Sequence, residues 1–422
     1  MKLWCYGFML MAGAWAQVPA VIGPRTSKDD FGTDQQIKLY QDWVANDPTS
    51  ISSRTLLAGA YIQKTRETTD FDYLNRAKKI LDSVLSEKQD SEALHMRNVV
   101  ELTLHHFSKA ADGARAMTDR YPGDVQSWGT LGDALMEMGQ YDAGRDAFAK
   151  MLALKPGLAS YNRMGFYRFI TGDPQGGIAL MRDAVKAAAK YPENKAWCLV
   201  ELGNMYFKTG KWDEAEAAYR DAITTFPASH TALAGLGSVQ AARGQLAEAI
   251  ASFEHAQSIT PMVQYAGALY DLWITLAKKD KAKEQADLVD VSAKLEEAAG
   301  FKSNRTLGVI YANQDRKLKE ALEQVQTDFE IRKDIYTYDA LAWVLYKNGR
   351  YEEARRASDE ALKLGTPEAL FHFHAGMIAK SMGDSGRAKA ELEQALKMNP
   401  GFDVRLARIA KESIAGLALP SH

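Results

Sequence analysis

The residues of this chain best suited to hold a metal ion or move a proton are its eight histidines. His372 and His374 lie two apart on a predicted helix, which turns their rings to nearly opposite faces and prevents joint chelation. His105 and His106 are adjacent, with no Asp, Glu or Cys at ligand spacing on a shared face, and no HExxH stretch occurs. Gly235-Leu236-Gly237-Ser238 has the look of a glycine-rich loop, yet it falls inside a helix at a packing position. Gly210-Lys211 lacks the upstream glycine and the following Ser or Thr of a phosphate loop. The run from Gly172 to Gly177 reads as a turn between helices, and carboxylate pairs such as Glu352-Glu353 sit on solvated helix faces. The sequence therefore points to no catalytic residue, no metal site, no cofactor and no enzyme.

Charge excludes a further class. The 422 residues carry 52 basic and 54 acidic side chains, a net charge of −2, without the basic run or stripe of a nucleic-acid binder. The first residues differ from the rest. Lys2 is the only charge before an apolar run from Leu3 to Trp15, and Ala14-Trp15-Ala16 supplies small residues for cleavage. This reads as a secretory signal cut after Ala16, giving a periplasmic or secreted protein that begins at Gln17; an uncleaved membrane anchor is the rival reading. The run is shorter than the ~20 residues of a membrane-spanning helix, so no membrane insertion is expected after cleavage. Cleavage removes Cys5, leaving Cys198 alone and no internal disulfide.

The elements that would position any functional residue are set by self-similarity. From Gln126 the chain runs Trp128, Leu131-Gly132, Leu135, Gly139, Tyr141, Phe148, Pro156. From Trp197 it runs Leu199, Leu202-Gly203, Tyr206, Gly210, Trp212, Ala215, Tyr219, Ala222, Pro227. Further copies give Leu236-Gly237, Gly244, Ala249, Phe253, Pro261, and then Gly376, Gly383, Ala388, Leu392, Pro400. Gly210 to Gly244 and Gly349 to Gly383 are both 34 residues. Apolar residues three and four apart make one stripe on each of two short helices. Gly132, Gly203 and Gly237 fall where paired helices cross. Gly139, Gly210, Gly244, Gly349 and Gly383 fit a left-handed turn between them. Pro156, Pro227, Pro261 and Pro400 stop each second helix.

In period and residue pattern these segments resemble the tetratricopeptide repeat. The resemblance implies an all-α right-handed superhelical solenoid of about ten helix pairs. Four segments follow: a signal peptide over 1–16, a flexible leader over 17–33, the repeat array over 34–402, and a capping helix with tail over 403–422. The copies at 51–123 and 266–334 are looser. A polar run from Thr65 to Asp70 would stretch one turn. Lys186 to Lys190 would lengthen the second helix of the copy at 158–191.

The resemblance also implies that the first helix of each pair lines a concave face on which partners lie. Its candidate partner-binding residues here are Asn162, Phe166, Phe169, Trp197, Asn204, Phe207, Tyr336, Asp339, Trp343 and Tyr346. Rings offer apolar area at little entropy cost, and Asn amides bond a peptide backbone. The expectation is a non-catalytic scaffold in the cell envelope that binds other proteins or peptide segments. Carbohydrate or cell-wall binding through the aromatic face is the alternative, and an enzyme with an unrecognised site is the remotest.

Overall fold

The computed structural model describes residues 32–68, 70–188, 192–298 and 304–417. Residues 1–31, on which the expected signal peptide and nearly all of the expected leader fall, lie outside the described residues. Every described element is an α-helix. Two compact units divide at Arg163 and Met164, inside a stretch that the sequence reads as one array.

The first unit contains α1 (Thr33–Asn46), α2 (Ile51–Thr68), α3 (Phe71–Glu87), α4 (Ser91–Thr103), α5 (Phe107–Arg120), α6 (Val125–Glu137) and α7 (Tyr141–Leu154). The division falls within α8 (Leu158–Ile170). The second unit continues with α9 (Pro174–Ala187), α10 (Pro192–Lys208), α11 (Trp212–Thr225), α12 (His230–Ala242), α13 (Leu246–Ile259), α14 (Val263–Thr275) and α15 (Lys279–Ala298). It ends with α16 (Arg305–Asn313), α17 (Leu318–Ile331), α18 (Ile335–Lys347), α19 (Tyr351–Leu362), α20 (Ala369–Ser381), α21 (Ser385–Met398) and α22 (Leu406–Leu417). Even-numbered helices from α2 pair with the odd helix that follows, and α22 caps the end.

Missing side chains set the crossings. A Cβ on Gly132 would fall 2.3 Å from the Phe148 ring, one on Gly203 2.6 Å from Tyr219, and one on Gly237 2.9 Å from Phe253. Gly308 does the same against Val325, although the sequence reading sees no repeat glycine there. In the α4–α5 pair the gap has changed sides. Asn98 takes the crossing position on α4, and a Cβ on Gly113 of α5 would come within 2.1 Å of its Oδ1. Ala215, Ala249, Ala354 and Ala388 are fully buried on the second helices. Side-chain caps start several first helices, with Asp90 on α4, Asp124 on α6 and Asp334 on α18.

Turns within the pairs share one conformation. Gly139, Gly172, Gly210, Gly244, Gly349 and Gly383 all have positive φ, and His105, Ala277 and Asp315 fill the same place in the remaining pairs from α4 onward. A left-handed residue with a Cβ costs roughly 1–2 kcal/mol, so the copies without a turn glycine keep the geometry at a local cost. Two details differ from the sequence reading. The helix α2 runs through Thr65 to Thr68 rather than breaking there, because Thr65 is buried against its neighbours. The helix α9 has an ordinary length and stops at Ala187, Ala189 and Lys190 lie outside the described residues, and it is α10 that is longer, at 17 residues. Among the described residues, no helix is long and apolar enough to cross a membrane.

Candidate functional site: the inner helices

The first helices of the pairs are more deeply packed than an open groove would require. In the first unit, α6 buries Ser127, Gly129, Thr130, Asp133 and Met136 together with its apolar stripe. Gly129 leaves a space into which Arg163 of α8 reaches; a Cβ there would stand 3.4 Å from the guanidinium carbon. Arg163 donates from Nε and a terminal nitrogen to both oxygens of Asp133, at 2.9 and 2.7 Å. His95 of α4 is buried nearby, with no hydrogen-bond partner at either ring nitrogen, and burial pushes its pKa well below the usual histidine value. Asn162 is buried as well.

The C-terminal pairs of the second unit are equally closed. Trp343 is 2% exposed and stacks 4.9 Å from Tyr346 and 4.2 Å from His374. Its indole N–H donates to Asn313 Oδ1 at 2.7 Å, and Asp339 accepts from His374 Nδ1 at 2.8 Å. Asp339 and Phe169 are buried too. Asn162, Phe169, Asp339 and Trp343 are thus buried rather than presented on an open groove, Asp339 and Trp343 because His374 of the next first helix, α20, packs on both. Tyr336 and Tyr346 stay half-buried, the former edge-on to Phe371 at 5.4 Å.

A less closed wall remains on α10 and α12. Trp197, Glu201, Asn204 and Lys208 follow one another at four, three and four residues, which is one face of α10. All four are half-buried, as are Phe166 on α8 and Phe207 on α10. Thr231, Ala234, Ser238 and Ala241 present a smooth, half-buried surface on α12. Tyr219 of α11 holds the wall in place. Its ring lies against Gly203 and Gly235, where added Cβ atoms would come within 2.6 and 2.3 Å, and its hydroxyl donates to Asn204 Oδ1 at 2.8 Å. The Asn204 amide then donates to Glu201 at 3.3 Å.

The polar groups of this wall are only partly satisfied. The Trp197 indole N–H is buried without a hydrogen-bond partner. Burial pushes the Glu201 carboxyl up to about 7, against the pull of Lys208 and Asn204. Burial opposes the charge on Lys208 as well, but the Glu368 carboxylate 2.8 Å away and the Tyr336 hydroxyl hold its ammonium above the ordinary lysine range. The sequence reading placed Trp197, Asn204 and Phe207 on this face and missed Glu201 and Lys208. Extending the same helical stripe by its four-residue steps reaches both. Among the described residues, no three His, Cys, Asp or Glu side chains gather as a metal site.

Tetratricopeptide-repeat profiles match residues 100–159 and 200–261, 158–228, 335–365 and 369–402. The chain carries tetratricopeptide repeats. Solved repeat structures resemble it in fold. Yeast Tom70 is 13% identical, with 91% of this chain and 92% of that one covered at a TM-score of 0.42. The Cut9 and Hcn1 hetero-tetramer of the APC/C is 15% identical, with 92% and 93% covered at 0.39. YrrB, described as a repeat protein with an unusual peptide-binding site, is 15% identical over 43% of this chain and 92% of its own, at 0.31. No curated protein matches the chain. In the repeat array, α10 and α12 are the first helices of adjacent tetratricopeptide pairs, so the wall is continuous from one repeat to the next.

Proposed function

We propose that the chain is a non-catalytic protein-binding scaffold of the cell envelope, and that the α10–α12 wall takes an extended polypeptide segment. The observation that carries this reading is the orphaned indole N–H of Trp197, beside a carboxyl and an amide on the same face. A buried donor without an acceptor costs roughly 1–3 kcal/mol, which a peptide carbonyl would recover once the wall opens to admit it, since the N–H is sealed from solvent in the unbound protein. The ring supplies apolar area, Asn204 and Glu201 supply backbone partners, and the small residues of α12 leave room for a chain to lie flat. The near balance of charge favours a partner without strong net charge.

Selection of unstructured peptides from a displayed library against the mature chain supplies a ligand for the test. Trp197→Ala is expected to weaken that ligand by about 2 kcal/mol, roughly thirtyfold, while leaving the helical signal intact. A folded variant with undiminished affinity would remove the wall as the binding surface. Envelope placement has its own readout. The chain purified from its native cells is expected to begin at Gln17 and to fractionate outside the cytoplasm, whereas an intact Met1 on a cytosolic protein would overturn it.

A further inference from the structure

The second unit is tied to itself across long sequence distances. Asn399, in the loop between α21 and α22, donates from Nδ2 to the Phe207 carbonyl at 2.9 Å and accepts from the Trp212 indole at 3.0 Å. Gly401 packs so tightly on α11 and α12 that a Cβ there would fall 2.7 Å from the Cβ of Ala242 and 2.9 Å from the Trp212 ring. Glu368, in the α19–α20 loop, pairs with Lys208 at 2.8 Å, and Thr366 donates to the Ile170 carbonyl. The bonds from Asn399 and Thr366 span 187 to 196 residues.

The division of labour along the Asn399 loop matters. Its apolar side belongs to the C-terminal repeats, with Phe402 against Phe373 and Leu406 in the same core. The opposite side reaches the ends of α10 to α12 mainly through hydrogen bonds and two close glycine contacts, Gly401 on Ala242 and Trp212, and Gly210 on the Met398 carbonyl. Apolar burial therefore keeps the loop with its own repeats, while individually modest bonds hold it to the other side. Breaking those bonds leaves each set of repeats with its core.

We propose that the loops at 366–368 and 399–401 form a latch that closes the second unit over the C-terminal end of α10. Its release frees the Phe207 carbonyl and takes Glu368 off Lys208, leaving Tyr336 beside the ammonium. Resting on the reading of this wall as a polypeptide site, the latch regulates access to it: the incoming segment must displace Glu368 from Lys208 and Asn399 from Phe207.

The test uses the full chain in two arms. In the first, Glu368→Gln with Asn399→Ala is followed by hydrogen exchange and small-angle scattering, with no ligand present. Protection at 204–212 is expected to fall roughly tenfold, the worth of one or two hydrogen bonds. The radius of gyration should rise while 373–395 keeps its protection. Unchanged protection, or a uniform loss through the unit, would overturn the latch. In the second arm, Ala242→Cys with Gly401→Cys is oxidised to lock the loop. A Cβ on Gly401 would stand 2.7 Å from that of Ala242, so the loop must move outward by about an ångström to reach the Cβ separation of a disulfide while staying on α12. Binding of the selected peptide is expected to vanish on oxidation and return on reduction. Binding that ignores the lock would overturn the gating. The first arm reads the latch even if no peptide binds the wall, so the two failures are distinguishable.

Discussion

Replacing Trp343 by alanine is expected to cost the second unit about 3–5 kcal/mol, the range for truncating a fully packed large aromatic. The sequence reading offers this residue as a partner-binding candidate, and the structure buries it. The indole joins three first helices, bonding Asn313 of α16, stacking on Tyr346 of its own α18 and stacking on His374 of α20. Phe373 lies 5.7 Å away. Truncation leaves a cavity between repeats and orphans the Asn313 side-chain oxygen. Because repeats couple mainly to neighbours, loss of hydrogen-exchange protection should centre on α16 to α20 and spare the first unit. A variant within ~0.5 kcal/mol of the parent by urea denaturation would show that this stack is not part of the core.

Arg163→Ala is expected to destabilise the first unit by about 3–5 kcal/mol at neutral pH, as breaking a buried ion pair does. The side chains of Arg163 and Asp133 are 5% and 1% exposed, so the variant leaves the Asp133 carboxylate away from bulk water without its cationic partner. The sign with pH follows from the carboxyl left behind. Burial already raises the Asp133 pKa even with Arg163 beside it; without that partner the folded-state value rises further above the unfolded one. A raised folded value favours folding below the unfolded pKa and loses that benefit as pH climbs. The cost of Arg163→Ala should therefore be smaller at pH 5 than at pH 8. Asp133→Leu combined with Arg163→Met should recover most of the loss, since apolar pairs often replace buried ion pairs without penalty. A cost that stays flat from pH 5 to 8 would mean that Asp133 is not the group left stranded.

Much of the fold was legible because glycine carries geometry. Gly132, Gly203 and Gly237 sit under rings that no Cβ would allow, and the turn glycines take the left-handed conformation their spacing implies. Reading failed where another residue filled the same backbone role. His105, Ala277 and Asp315 turn left-handed without being glycine, and Gly113 makes room for Asn98 from the opposite helix. The inner face was harder. Helical spacing identifies which residues point inward, but not how closely the next repeat covers them, so Trp197 and Trp343 look equivalent in sequence and differ in burial. The contacts of Asn399, Glu368 and Thr366 link segments far apart along the chain, and no local pattern announces them.

The central claim is that a polypeptide segment lies on the α10–α12 wall. Hydrogen–deuterium exchange of the intact chain, with and without a selected peptide at saturation, tests it most directly. The account predicts added protection at 197–208 and 231–241, with α4 and α6 unchanged. Protection that appears only on second helices or on α22, with α10 and α12 unaltered, would contradict it.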